Sequence, residues 1–157
     1  MRPVPAACLP LIHQFEGNNG TFEPIRAYDP AGNPEIGWSH KLSGPADPLW
    51  FAALDADQAD ALAMEDLTKA ASGVCNILGP SVSPLTANQY AALIDFTYEC
   101  GLGAFAGSTL CHFVKTGRLD LVPDQLGLWI HARVAGIETV MEGMVRRRAA
   151  EVELWRT

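Results

Sequence analysis

A short segment dense in turn-forming residues, residues 26–42, restricts the fold of this 157-residue chain more than any other part. It reads RAYDPAGNPEIGWSHKL, and its DPAGNP run combines two prolines, which fix φ, with a glycine that can adopt positive φ. The flanking residues, 27–28 and 36–38, are compatible with β-strands. We therefore predict a small twisted hairpin or meander here.

Helical patterns account for most of the remaining chain. Apolar residues within residues 9–15 predict a short first helix, and this helix tolerates Pro10 because a proline in the first turn removes no helical hydrogen bond. Gly17 suits the C-cap of this helix, so we expect Glu16 at the helix end.

Two capping boxes indicate where further helices begin. Asp55 with Gln58 predicts one helix, which we expect to end near Gly73. Thr86 with Gln89 predicts a longer one, because apolar residues follow at helical spacing.

The C-terminal part of the chain is predicted to form three more helices. Ser108 caps a helix that runs through Val114, a second helix covers residues 122–131, and the last covers residues 142–155. In the last helix we expect apolar side chains to face inward and the arginines of residues 146–148 to face outward, paired with nearby acids. Six or so helices with one small β element indicate the α+β class.

Charge and hydropathy argue against two kinds of partner. The chain has 11 Lys and Arg against 18 Asp and Glu, a net charge of −7, and phosphate affinity depends on basic residues. We therefore expect no nucleic-acid partner. Apolar runs fall short of the roughly 18–20 residues of a membrane helix, and Pro5 and Pro10 interrupt the N-terminal apolar stretch, so we expect no membrane anchor and no secretory signal.

The cysteines predict neither a metal site nor a disulfide framework. Cys8, Cys75, Cys100 and Cys111 are widely spaced without a CxxC pair, and only Cys111 has an adjacent second ligand, His112. We interpret them as four buried thiols, with a single disulfide as the alternative. We expect no metal and no organic cofactor.

Three acidic residues of the N-terminal third are candidates for catalysis. Asp29 and Glu35 lie on either side of the predicted turn, and Glu16 closes the first helix. Cleavage of a glycosidic bond needs one protonated acid and one ionised carboxylate, which three converging carboxyl groups can supply. The same spacing also fits a turn cap, a strand residue and a surface charge, so the pattern alone leaves both interpretations open.

Three blocks of sequence, in order, resemble one known family. The segment FEG followed by AYDPAGNPEIGWSH resembles the phage-type (T-even) lysozymes and endolysins of glycoside hydrolase family 24, whose signature runs FEG, AY, an acid, PAG and TIGYGH. Residues 85–110 are similar to the family's long central helix and following turn, and residues 143–155 to its closing helix. The resemblance covers residues 9–42 and 84–156. It implies a lysozyme-like fold with one catalytic domain over residues 1–157.

The resemblance also implies roles for five residues. Glu16 falls on the catalytic glutamate, the general acid, and Asp29 on the catalytic aspartate. Glu35 occupies a position where the family has a threonine that helps to hold the attacking water. His40 matches a histidine that is structural or contacts substrate. Tyr98 matches an aromatic residue of the sugar groove, although it also fits the core of the long helix.

The threonine position is the main departure from the family. A carboxylate at Glu35 beside Asp29 places like charges together, which we expect to raise the pKa of at least one of them. Glu35 then activates water while Asp29 stabilises positive charge, or Glu35 is the nucleophile of a retaining mechanism, or the exchange has left an inactive enzyme. The loop between Glu16 and Asp29 is also longer than the family's, at little cost in free energy.

The resemblance implies a muramidase that hydrolyses the β-1,4 bond between N-acetylmuramic acid and N-acetylglucosamine in peptidoglycan glycan strands. The sugar chain is expected in a cleft between the β element, residues 26–42, and a helical lobe, residues 84–156. We expect a monomer that collects in the host cytoplasm and reaches the wall after a holin-type membrane protein acts. A noncatalytic glycan-binding or structural phage component is the alternative, and a bacteriocin or prophage enzyme would share the chemistry.

Overall fold

The computed structural model of this chain describes residues 2–18, 20–29, 31–134 and 136–157. Within those residues it has seven α-helices and two small antiparallel sheets, which confirms the predicted α+β class. No helix in these ranges is long and apolar enough to cross a membrane. The chain divides into two compact units. The sheet unit is residues 9–68, and the helical unit is the N-terminal residues up to Cys8 together with residues 69–157.

A three-stranded sheet forms where the turn-rich segment predicted a hairpin or meander. Helix α1 (Cys8–Phe15) is followed by strands β1 (Glu23–Tyr28), β2 (Pro34–Gly37) and β3 (His40–Lys41), and the antiparallel order is β1-β2-β3. The β1-β2 turn closes through a hydrogen bond from the backbone N–H of Gly32 to the carbonyl of Asp29, 2.8 Å long.

The helix after this sheet begins as predicted and ends later than predicted. Helix α2 (Ala56–Leu78) starts with the expected capping box, in which the backbone N–H of Gln58 donates to Oδ1 of Asp55 at 2.8 Å and that of Asp55 donates to Oε1 of Gln58 at 2.9 Å. The predicted end near Gly73 is wrong. Gly73 lies inside the helix, where a Cβ atom would come within 2.2 Å of Cδ2 of Leu102. The glycine therefore makes room for a neighbouring side chain and does not end the helix.

Replacement of Gly73 tests this packing role. A glycine-to-alanine change inside a helix usually stabilises a protein by about 1 kcal/mol. We expect Gly73→Ala to lose that gain in the natural background, because the new methyl group displaces Leu102. In a Leu102→Ala background the full gain should return. Urea unfolding of the natural protein, the two single variants and the double variant measures the coupling between the two positions. An equal effect of Gly73→Ala in both backgrounds would contradict the packing role.

The helical unit is built around α3 (Ala87–Cys100), whose residues 90–97 are all buried. The predicted capping box of Thr86 and Gln89 is confirmed, as are the helix end at Gly101 and the N-cap at Ser108. Four further helices complete the unit: α4 (Leu102–Ala106), α5 (Thr109–Lys115), α6 (Val122–Leu126) and α7 (Glu142–Arg156). Two short 3₁₀ turns, Gly79–Val82 and Leu119–Leu121, precede α3 and α6.

A second β-hairpin lies where a helix over residues 122–131 was expected to end. Helix α6 stops at Leu126, and strands β4 (His131–Val134) and β5 (Ile137–Val140) follow as an antiparallel pair. The prediction missed this hairpin, although Gly136, at φ +83°, and the β-branched residues of β5 are signals of one. All four residues of β5 are exposed, so this strand lacks the alternation of buried and exposed residues that is typical of a strand packed on a core.

The last helix has its predicted bounds within a residue and buries Trp155 as expected, but it also buries two of the arginines. Arg147 and Arg148, expected outward, are 3% and 1% exposed, whereas Val145, expected inward, is exposed. The guanidinium of Arg147 makes two hydrogen bonds to the buried carboxylate of Asp95, 2.8 and 2.9 Å long. Pairing with acids was predicted correctly. Because the acids lie inside the helical unit, the pairing draws these arginines inward.

A second buried arginine, Arg148, extends this cluster to Glu99 of α3 and Glu151 of α7. Nη2 of Arg148 donates to Oε2 of Glu99 and to Oε1 of Glu151, at 2.5 and 2.6 Å. Burial, together with the nearby charge of Asp95, raises the pKa of Glu151 well above its ordinary value. Burial therefore favours the uncharged form of Glu151 beside the carboxylate of Asp95.

The four cysteines are free thiols, as predicted, but only two of them are buried, whereas we expected all four to be. Cys8 and Cys111 are buried, and Cys75 and Cys100 are half-buried. Burial raises the pKa of Cys8 to about 12 and that of Cys100 to about 11, so both remain protonated at neutral pH.

Candidate active site

The turn between β1 and β2 fixes the carboxylate of Asp29 with hydrogen bonds from its own residues. Oδ1 accepts from the backbone N–H groups of Ala31 and Asn33, at 2.9 and 2.8 Å. The side-chain amide of Asn33 reaches both carboxylate oxygens, at 3.2 and 2.9 Å. The side chain of Asp29 is 18% exposed. The turn sequence that predicted a hairpin therefore also orients this carboxylate.

Lys41 connects Asp29 to Glu35. Glu35 in β2 pairs with Ala27 of β1 on one side and with Lys41 of β3 on the other. Nζ of Lys41 donates to Oδ2 of Asp29 at 2.8 Å and to Oε2 of Glu35 at 2.6 Å. The side chain of Glu35 is 13% exposed. Two of the three predicted acids thus lie beside one ammonium group, which the sequence analysis did not identify.

The ammonium group of Lys41 decides the electrostatics of Asp29. We expected repulsion between Asp29 and Glu35 to raise a pKa. The hydrogen bond from Lys41, followed by those from Asn33, holds the pKa of Asp29 far below its ordinary range. Burial alone would lower the pKa of Lys41, but its bonds to Asp29 and Glu35 outweigh this effect and raise it. At neutral pH, Asp29 is ionised and Lys41 is charged.

Glu16 directly follows the last residue of α1, as predicted. Its backbone N–H donates to the carbonyl of Ile12 at 2.9 Å, so Glu16 completes the last turn of the helix, and its side chain is half-buried. Gly17 then adopts φ +70°, and a Cβ there would lie 2.3 Å from the carbonyl oxygen of Thr21. Only glycine fits this bend. That Glu16 faces the same glycosidic bond as Asp29 and Glu35 stays a prediction.

A polar cluster ties the end of α1 to the rest of the sheet unit. Oδ1 of Asp60, on α2, lies 2.8 Å from Nε2 of His13 and accepts a hydrogen bond of 2.8 Å from Nε1 of Trp38. The rings of His13 and Trp38 are in contact, with centroids 4.6 Å apart. His13 is three residues before Glu16, so the cluster fixes the last turn of the helix that carries the proposed acid. Nothing in the sequence pattern had identified it.

The two residues predicted to contact substrate lie in different units. Nδ1 of His40 lies 2.5 Å from Oδ2 of Asp66, a contact that anchors β3 to α2. This contact agrees with the structural role that was one of its two predicted roles. Tyr98 lies in the last turn of α3 and is half-buried, unlike residues 90–97 before it. For both residues, a contact with sugar stays a prediction.

Residues 13–151 match the family model described as Phage lysozyme. The chain belongs to the phage lysozyme family. Its membership confirms the resemblance from which the roles of the site residues were inferred, while the roles themselves stay predictions.

Two endolysins illustrate this relationship at the level of sequence. The endolysin of Bacillus phage PZA is 32% identical over 97% of this chain, and the chain spans 54% of that relative's length. The endolysin of Acyrthosiphon pisum secondary endosymbiont phage 1 is 29% identical, and the match covers 94% of this chain and 93% of the relative.

Solved structures confirm the lysozyme-like fold of this family member. The muramidase domain of SpmX from Asticaccaulis excentricus matches with a TM-score of 0.84 and 30% identity, covering 100% of this chain and 99% of that domain. An endolysin from Escherichia coli O157:H7 phage FAHEc1 matches with a TM-score of 0.82 and 25% identity, covering 99% of this chain and 93% of the endolysin.

Proposed function

We propose that this chain is a peptidoglycan-degrading muramidase, which hydrolyses the β-1,4 bond between N-acetylmuramic acid and N-acetylglucosamine. Membership of the phage lysozyme family supports the class of reaction. One observation carries the proposal to this chain's own residues. Asp29 and Glu35, at the positions of the family's aspartate and threonine, are held side by side by Lys41.

The proposed chemistry assigns the proton donor and the ionised groups to different elements. Glu16, at the end of α1, donates a proton to the glycosidic oxygen as the bond to the anomeric carbon breaks. Asp29 and Glu35 position water and stabilise the positive charge that develops on the sugar ring. The lowered pKa of Asp29 supports its place among the ionised groups.

The substrate and setting follow from the same proposal. The names of the endolysin relatives support action on peptidoglycan strands of the bacterial wall. We propose that a holin-type membrane protein first permeabilises the inner membrane of the host, as the resemblance to phage endolysins implies. The domain would act as a monomer, and His40 and Tyr98 would contact the sugar chain.

Release of reducing ends from purified peptidoglycan tests the proposal against its alternative. We expect the protein to generate reducing ends in proportion to its concentration, together with muropeptides that end in N-acetylmuramic acid. A noncatalytic glycan-binding or structural component would sediment with the wall and release nothing. That result would contradict the proposed activity.

A further inference from the structure

The hydrogen bonds of Asp29 leave this carboxylate little capacity to react. A carboxylate offers about four lone-pair sites on its two oxygens. Asp29 accepts from two backbone N–H groups, from the Asn33 amide at both oxygens, and from Lys41. A proton or a carbon atom could bind either oxygen only by displacing a donor that holds the turn together.

Glu35 has the opposite arrangement. Its Oε2 is held by Lys41 at 2.6 Å, and its Oε1 accepts no hydrogen bond from any residue that the structure describes. The backbone of Glu35 is fixed between β1 and β3, so the carboxylate is held firmly while one oxygen stays available to water.

We propose that Glu35, and not Asp29, is the base that deprotonates the attacking water, and that Asp29 is a positioning residue that acts through Lys41. The inference rests on the proposed muramidase activity. It departs from the roles that the resemblance implied, because there the aspartate was a catalytic residue and position 35 carried an uncharged hydroxyl group.

The proposed step balances as a single displacement. Oε1 of Glu35 takes one proton from water while the water oxygen forms a bond to the anomeric carbon. The bond between that carbon and the glycosidic oxygen breaks, and its electron pair leaves with the oxygen, which takes a proton from Glu16. Glu35 ends protonated and Glu16 ionised, and exchange with solvent restores both. The configuration at the anomeric carbon is inverted.

Lys41 and Asp29 make this geometry possible. The ammonium group of Lys41 lies between the two carboxylates and holds Glu35 through one oxygen. Asp29, which is fixed by the turn, keeps that ammonium group in place. The charged groups that face Lys41 from the neighbouring β2 and from the β1-β2 turn are these two carboxylates. The imidazole of His40, the residue before Lys41, contacts the carboxylate of Asp66 on α2.

A matched pair of substitutions separates the two carboxylates. We expect Glu35→Gln to lower kcat by about 10²–10⁴-fold, the usual contribution of a general base. We expect Asp29→Asn to lower kcat by no more than about tenfold, because the amide oxygen can still accept from the backbone of the turn, while the bonds of Lys41 and of the Asn33 amide to the second oxygen are lost. Glu138→Gln, which changes an exposed carboxylate on β5, is the control.

Chemical rescue by azide supplies a readout that a structural role would not give. Azide attacks the anomeric carbon without a base, so it should restore turnover of Glu35→Ala by at least about tenfold and yield a glycosyl azide. It should not stimulate Asp29→Ala or Asp29→Asn.

Substitutions of Lys41 test its role in holding Glu35. Lys41→Met should lower kcat with little change in KM, and Lys41→Arg should restore part of the loss. Circular dichroism confirms that each variant is folded.

The outcomes distinguish this inference from the proposed function. NMR should detect the α anomer as the first product of the natural protein, and a first-formed β anomer would overturn the base role of Glu35. Rescue of a position 29 variant by azide, or an active Glu35→Gln, would also overturn it. In those cases the natural protein still releases reducing ends. If it releases none, the muramidase proposal itself fails.

Discussion

Glu16→Gln is expected to lower kcat/KM for peptidoglycan by about 10²–10⁴-fold, the largest effect of any single substitution on activity outside Glu35. The amide has nearly the same shape as the acid but has no proton to give to the leaving glycosidic oxygen. The backbone of Glu16 is fixed by its bond to Ile12 and by the bend at Gly17. The exchange should therefore leave the end of α1 in place and remove only the proton.

Clearing of outer-membrane-permeabilised cells, followed by turbidity, measures this loss. Glu65→Gln is a suitable control, because it makes the same chemical change on an exposed position of α2 in the same unit. Both variants should unfold at the same urea concentration as the natural protein. Full clearing by Glu16→Gln would reject its role as the general acid.

Arg147→Met is expected to destabilise the protein by about 3–5 kcal/mol, the usual cost of removing one partner from a buried ion pair. The guanidinium bonds both oxygens of Asp95, which is fully buried, so the substitution leaves that carboxylate without its main counter-charge. Methionine keeps much of the side-chain volume, so the loss reports on charge more than on packing.

A neighbouring arginine supplies the control for this experiment. Arg146 is 71% exposed, and its nearest acid is the 94% exposed Glu142, 4.0 Å away. Arg146→Met should change the free energy of unfolding by no more than about 0.5 kcal/mol. Asp95→Asn should recover part of the stability of Arg147→Met. Equal effects of the two arginine substitutions in urea unfolding would show that the buried pair adds nothing.

The pH dependence of the same pair has a defined sign. Burial opposes ionisation of Asp95, but the charge and hydrogen bonds of Arg147 outweigh burial and lower the pKa of that carboxyl in the folded state. A lowered pKa stabilises the fold fully above the ordinary pKa of aspartate and loses this effect as the pH falls through the folded-state value. The difference in stability between Arg147→Met and the natural protein should therefore shrink in acid.

Local chemistry explains the elements that were predicted correctly. A capping box such as that of Thr86 and Gln89 acts over three residues, and Gly101 ends α3 without help from distant groups. The turn between β1 and β2 likewise closes through backbone hydrogen bonds among Asp29, Gly32 and Asn33. Because these signals work within one turn of chain, the sequence was sufficient to place the sheet, Glu16 at its helix end, and Asp29 beside its turn.

Contacts between residues distant in the chain explain what was missed. Gly73 lies inside a helix because the side chain of Leu102 packs against it. Arg147 is buried because it pairs with the buried Asp95, 52 residues earlier in the chain. The pKa of Asp29 is low because Lys41, twelve residues later, donates a hydrogen bond to it. The local pattern of apolar residues cannot predict a buried charge, because it does not include the distant residue that pairs with that charge. The amino-acid order thus set the helix ends, the turn and the candidate acids. The packing of separate segments set which charges are buried, which carboxylate is held by the turn, and which keeps an oxygen available.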